Sequence, residues 1–76
     1  MTAEELKSRL QTAGIRVTIA GYVRESDSAL ALGIAPRTLQ RWRECGTAPR
    51  SMRLGRRHLY SVESLADFIT TSNDTA

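Results

Sequence analysis

The residues of this chain best suited to chemistry are its arginines, most of which lie close together. From Arg37 to His58, seven arginines against one acid give a charge of +6, while four positive and seven negative residues leave −3 elsewhere. A guanidinium group binds phosphates and guanine edges through paired hydrogen bonds. The uneven charge therefore predicts a polyanionic partner, most often a nucleic acid. The seven residues are Arg37, Arg41, Arg43, Arg50, Arg53, Arg56 and Arg57.

Catalytic chemistry has little support in the sequence. His58 is the only histidine, and the sequence pairs it with neither a second metal ligand nor a nucleophile. Ser26, Asp27 and His58 are the residue types of a catalytic triad, but nothing in the sequence indicates that they meet. Cys45 is the only cysteine, so an intrachain disulfide cannot form, and a reducing compartment is indicated. We expect no enzyme activity, no cofactor, no metal and no small-molecule ligand.

Length and composition indicate one small globular domain of marginal stability. The chain has 76 residues, of which 41% are hydrophobic and 25% charged. Neither a signal peptide nor a transmembrane run follows its acidic first residues. We therefore expect a cytoplasmic protein that does not contact a membrane.

The sequence of the first third of the chain predicts one helix, followed by a connection that fits two structures. Thr2 and Glu5 have the spacing of a capping box, and the apolar pattern favours a helix over about residues 3–13 that stops at Gly14. The alternation over residues 15–20 indicates either a short strand or a turn into the next helix.

Two further short helices follow, separated by about three residues. Ser26 or Asp27 can cap the first of them, which ends at Gly33. Pro36 suits the first position of the second because its missing N–H would be unpaired there in any case, and Gly46 ends that helix. Two short helices joined in this way form a helix-turn-helix.

The second of these helices is amphipathic. At about 100° per residue, Thr38, Leu39 and Trp42 share one side, and we assign Trp42 to the core. The other side carries the polar residues Arg37, Gln40, Arg41 and Glu44, with Arg43 at the margin.

A hairpin and a last helix complete the predicted elements. Two alternating runs flank Gly55 within residues 52–60, and a Gly55-Arg56 loop would pair Met52 with Leu59 and Leu54 with Arg57. A one-residue slip would exchange the two sides of the hairpin. Ser61 caps the last helix, and residues 71–76 form a loose polar tail.

The order of these elements resembles the winged helix-turn-helix of excisionase and AlpA-type DNA-binding proteins, which are relatives of the MerR superfamily. The resemblance covers about residues 25–69 and is carried by LGIAPRTLQRWRECG (32–46), Ala48-Pro49, RLGRRHLY (53–60) and Glu63-Ser64-Leu65. It implies an α+β fold, a small winged helix-turn-helix with an extra N-terminal helix and a two-stranded wing. Residues 1–24 are then an extension, residues 25–70 the DNA-binding domain, and residues 71–76 a flexible tail.

The resemblance implies sequence-specific binding to double-stranded DNA, with the second helix in the major groove and the hairpin on the neighbouring backbone or minor groove. From the helix it assigns to DNA Arg37, Thr38, Gln40, Arg41 and Arg43, and from the wing Arg53, Arg56, Arg57 and His58. Arginine and glutamine read guanine and adenine, so Arg37, Gln40 and Arg41 are the predicted base readers. Ala35 departs from the family, which often has serine before this helix.

Several roles fit this reading of the sequence. The protein is expected to be an excisionase-type architectural factor that works with a recombinase, or a small transcriptional regulator of a phage or mobile element, associated with the nucleoid. One recognition helix and one wing give a small footprint, so several copies are expected side by side on DNA. A DNA-recognition module of a phage packaging complex is a third possibility. From a different class, the alternative is an adaptor that binds another protein through its N-terminal helix.

Overall fold

Four helices and a three-stranded antiparallel sheet are formed within residues 1–74, the part of the chain that the computed structural model describes. The sheet has the strand order β1-β3-β2, so β3 is central. The α+β class predicted from the sequence is confirmed. In chain order the elements are α1 (Ala3–Thr12), β1 (Tyr22–Arg24), α2 (Glu25–Leu32), α3 (Pro36–Cys45), β2 (Ser51–Leu54), β3 (Arg57–Ser61) and α4 (Val62–Asp74).

The helix ends follow local chemistry. Thr2 Oγ1 accepts a hydrogen bond from the Glu5 N–H at 3.1 Å, as the capping box predicted. Gly33 and Gly46 end α2 and α3 in the left-handed region, at φ of 75° and 77°. Pro36 occupies the first turn of α3, and the N-cap before it, Ala35, provides no side-chain acceptor.

Of the two alternatives for residues 15–20, the strand was wrong and a turn is formed, while the strand in this region lies a few residues later. The Thr18 N–H donates to the Tyr22 carbonyl, and Thr18 Oγ1 accepts from the Tyr22 N–H, which closes this turn. Ile19 is fully exposed on this turn, so the apolar alternation did not mark a buried side. The β1 strand instead pairs with β3, with Tyr22 opposite Ser61.

The predicted start of α2 was also wrong. The helix begins at Glu25, immediately after β1, and its N-cap residue is Arg24, which makes no side-chain capping bond. The buried hydroxyl of Ser28 donates to the Arg24 carbonyl at 2.8 Å, a bond that ties the first turn to its cap residue but supplies no acceptor for the first N–H groups of the helix. Ser26 and Asp27 therefore lie in the first turn of the helix instead of at its cap.

The hairpin has the predicted register. Met52 pairs with Leu59 and Leu54 with Arg57, which leaves Gly55 and Arg56 as a two-residue loop. Gly55 has a φ of 65°, and no non-glycine residue described has a positive φ. This combination fits a type II′ turn, in which glycine holds the first central position.

The core lies between the helices and one side of the sheet. Its largest fully buried apolar and aromatic side chains come from β1, α3, β3 and α4, namely Val23, Leu39, Tyr60 and Leu65, and α2 adds the fully buried Ala29. Leu6 and Leu10 join it from α1, which packs on α4. Trp42 is half-buried against this core, and its ring centre lies 6.0 Å from that of Phe68, in accord with its predicted assignment.

The last helix is longer than the sequence predicted. Ser61 caps it as expected, because its Oγ accepts from the Ser64 N–H at 3.0 Å. The helix continues to Asp74, so the chain is helical where a loose tail was predicted to begin at Thr71. Residues 75 and 76 of that predicted tail lie outside the described residues. No helix within residues 1–74 combines the length and apolar character needed to cross a membrane.

Candidate nucleic-acid interface

The α3 helix holds its polar residues outward because its apolar side is anchored in the core. Leu39 is completely buried, whereas Arg37, Gln40 and Arg41 are exposed. These three residues are spaced i, i+3 and i+4, so they share one side of the helix. Thr38 is half-buried.

The hairpin presents a second group of cations. Arg53, Arg56 and Arg57 are exposed, and His58 is half-buried. Arg53 Nε donates to the Gly55 carbonyl at 3.0 Å, which ties that side chain to the turn. The short loop therefore holds several positive groups within a few residues of the hairpin tip.

Helix α3 and the hairpin border the same concave surface. An open cavity of about 520 Å³ separates them, and we call it the cationic groove. It brings together five of the predicted site residues, whereas Arg37, Thr38, Arg41 and Arg53 do not line it. The residues that line the cationic groove are Arg24, Glu25, Ser26, Gln40, Arg43, Arg56, Arg57 and His58.

A carboxylate at the inner side of the groove connects the surrounding elements. Glu25 Oε2 accepts from Arg43 Nε at 2.7 Å and from the Tyr60 hydroxyl at 2.8 Å, and Glu25 Oε1 accepts from Arg43 Nη2 at 3.4 Å. These bonds join the start of α2 to α3 and to the central strand β3. They tie α3 to β3, which is one strand of the hairpin, because the same carboxylate binds a group from each element.

The network alters the protonation of its members. Partial burial raises the pKa of Glu25, but the hydrogen bonds from Arg43 and Tyr60, together with the positive charge of Arg43, bring it below the usual 4.5. The hydrogen bond to Glu25 raises the pKa of Arg43, and burial with the same partner raises the pKa of Tyr60. At neutral pH the network is thus a carboxylate held between a guanidinium and a neutral hydroxyl.

Arg43 differs from the other predicted contact residues because it already has a charged partner. Its side chain is 21% exposed and forms an ion pair with Glu25, whose side chain is 20% exposed. The sequence placed Arg43 at the margin of the exposed side of α3 but gave no sign of this partner. Glu25 and Tyr60 were missed as site residues because they lie 18 positions before and 17 positions after Arg43, beyond any local pattern.

The described residues offer little for other chemistry. Within residues 1–74, no group of three or more His, Cys, Asp and Glu side chains is arranged to hold a metal ion. Cys45 is a free, exposed thiol at the end of α3. Comparison with known proteins finds no family model that matches this chain and no curated protein that matches it.

Proposed function

We propose that this protein binds double-stranded DNA through α3 and the β2–β3 hairpin. In this proposal α2 and α3 form a helix-turn-helix, α3 enters the major groove, and the hairpin acts as a wing. The observation that carries the proposal is the cationic groove, which α3 borders with Gln40 and the hairpin borders with the exposed cations Arg56 and Arg57. A duplex presents phosphates along both edges of a groove, and such a surface complements them.

The proposed roles follow from exposure and side-chain chemistry. Arg37, Gln40 and Arg41 are the base readers, because they are exposed on one side of a helix narrow enough for the major groove. Arg53, Arg56 and Arg57 neutralise phosphates or enter a narrow minor groove. These contacts contribute to affinity and to the register of the protein on the duplex more than to sequence specificity. His58 and Thr38 are half-buried and act at the margins of this surface.

The biological role we propose is that of an excisionase-type architectural factor or a small transcriptional regulator of a phage or mobile element. Both roles need a compact DNA-binding unit that acts with neighbours. One recognition helix and one wing cover few base pairs, so copies bound side by side, with or without a recombinase, would supply the specificity. A footprint on the genomic DNA beside the gene separates the roles, since clustered sites at an attachment region indicate recombination and one promoter site indicates regulation.

Gel shifts with a random-sequence duplex at several salt concentrations test the proposal. We expect the logarithm of the binding constant K to fall linearly with the logarithm of the salt concentration. The magnitude of this slope should be several times 0.9, since each neutralised phosphate contributes about 0.9. Arg56→Ala should reduce that magnitude by about 0.9. Arg16→Ala is the matched control, because it removes an equal charge from an exposed position outside the proposed interface.

Two results would overturn the proposal. The first is no binding to duplex DNA at about 50 mM salt, a concentration at which phosphate contacts are strong; it would favour the protein adaptor. The second is an equal loss of binding in Arg16→Ala and Arg56→Ala. Once a target site is known, Arg41→Ala should weaken binding to it more than to random DNA, whereas Arg56→Ala should weaken both alike.

A further inference from the structure

We propose that Glu25 withholds Arg43 from the DNA backbone, which makes Glu25 a determinant of how strongly the protein binds DNA of any sequence. The inference rests on the proposed function and goes beyond it by dividing the cations of the interface into two kinds. The exposed arginines are free to contact DNA, whereas Arg43 is already paired with a carboxylate.

The geometry of the pair supports this division. Arg43 gives Glu25 two hydrogen bonds, of 2.7 and 3.4 Å, and both side chains are about four-fifths buried. The Tyr60 hydroxyl holds the same carboxylate at 2.8 Å, so Glu25 is fixed from a second direction. The ion pair between Arg24 and Asp27 is different, because it is longer, at 3.4 Å, and its arginine is 59% exposed.

The other cations proposed to bind DNA have no such partner. Among the residues that the structure describes, Arg37, Arg41, Arg56 and Arg57 form no ion pair. A phosphate gains a contact from any of these without breaking one inside the protein. To bind Arg43, a phosphate must first displace the Glu25 carboxylate, which is desolvated together with its partner.

Arg43 nevertheless lies where its guanidinium, once released from Glu25, would contact the DNA backbone. It lines the cationic groove together with Gln40, Arg56 and Arg57. Removing the negative charge of Glu25 would therefore add one free cation to the surface that we propose for the backbone. Because phosphate contacts carry no sequence information, the added cation would strengthen binding to all DNA. Glu25 thus restrains non-specific affinity while leaving the base readers on α3 unchanged.

The salt dependence of DNA binding distinguishes an arginine that is held by Glu25 from one that contacts a phosphate. Binding to a random-sequence duplex is measured at several salt concentrations for the wild type, Arg43→Gln, Arg41→Ala and Arg56→Ala. Arg56→Ala is expected to lower the slope magnitude by up to about 0.9, and Arg41→Ala, which removes a proposed base reader, is expected to lower it by less. Arg43→Gln is expected to leave the slope unchanged, since glutamine keeps a donor for Glu25 and no phosphate contact is lost.

Glu25→Gln provides an independent arm of the experiment. It should raise the slope magnitude by up to about 0.9, because Arg43 becomes free to neutralise a phosphate. Glu44→Gln is the matched control, since it removes the same charge from an exposed position on α3 without releasing an arginine. In the double variant Glu25→Gln/Arg43→Gln the slope should return to that of Arg43→Gln. Circular dichroism confirms that each variant is folded.

The outcomes separate this inference from the proposed function. If the wild type does not bind duplex DNA, the proposed function fails and this inference fails with it. If the wild type binds with a steep salt dependence but Arg43→Gln loses as much slope as Arg56→Ala, only the inference is overturned. It is overturned equally if Glu25→Gln has no larger effect on the slope than Glu44→Gln.

Discussion

Replacing Tyr60 by phenylalanine removes one hydroxyl from the centre of the molecule and leaves the ring in place. Tyr60 is completely buried, and its hydroxyl donates to Glu25 at 2.8 Å. A hydrogen bond to a charged group contributes about 1.5–3 kcal/mol, so Tyr60→Phe should lower the free energy of unfolding at pH 7 by that amount. In a domain of this size the expected fall in Tm is about 6 °C or more.

The penalty should depend on pH, because the bond is made to a carboxylate. Burial raises the pKa of Glu25, but its hydrogen bonds and the charge of Arg43 bring it below the usual 4.5. A carboxyl with a depressed pKa in the folded state stabilises the protein above its usual pKa, and this stabilisation is lost as the pH falls through the folded value. The difference between wild type and Tyr60→Phe should therefore shrink as the pH falls below 4.5 and through the folded pKa of Glu25, toward about 0.5–1.5 kcal/mol for an uncharged bond.

Urea unfolding at pH 7, 5 and 3, followed by Trp42 fluorescence, measures both effects, since Trp42 is the single tryptophan and packs against the core. Tyr22→Phe is the matched control, because the Tyr22 hydroxyl makes no hydrogen bond in the part of the chain that is described. The reasoning is refuted if Tyr60→Phe costs no more than Tyr22→Phe, or if its cost is the same at pH 3 as at pH 7.

Three other substitutions test the local structure by urea unfolding. Ala35→Ser supplies the side-chain acceptor that the N-cap of α3 lacks and should stabilise by about 0.5–2 kcal/mol; an unchanged midpoint would contradict this cap geometry. Leu39→Ala empties a fully buried position and should cost about 2–5 kcal/mol, so a cost below about 1 kcal/mol would argue against its burial. Gly55→Ala places a Cβ at a φ of 65° and should cost roughly 1–2 kcal/mol, and a neutral result would mean a different turn.

Elements whose signals are local were predictable from the sequence. The α3 helix carries its own start and stop signals, Pro36 and Gly46, and both act as predicted. The hairpin register followed from Gly55, because a two-residue loop with glycine first leaves few ways to pair the flanking strands. These features depend on neighbouring residues, which a sequence shows directly.

The elements that were missed depend on partners elsewhere in the chain. The three residues of β1 are extended because β3 offers them hydrogen bonds, and although Tyr22 and Val23 favour strands, a segment this short carries no pattern that predicts one. The alternation at residues 15–20 had a strand signal but no such partner, and the chain turns there. A strand needs a neighbour, so its presence is decided in three dimensions.

The sequence by itself determined how many cations the chain concentrates between Arg37 and His58, and on which side of α3 Arg37 and Arg41 lie. The tertiary structure alone decided which of these cations remain available. Glu25 reaches Arg43 across 18 positions only because β1 and α2 bring its carboxylate beside α3 and the buried Tyr60 hydroxyl. Charge is a property of composition, but the pairing of charges requires atoms to meet at about 3 Å, and only the folded chain sets those distances.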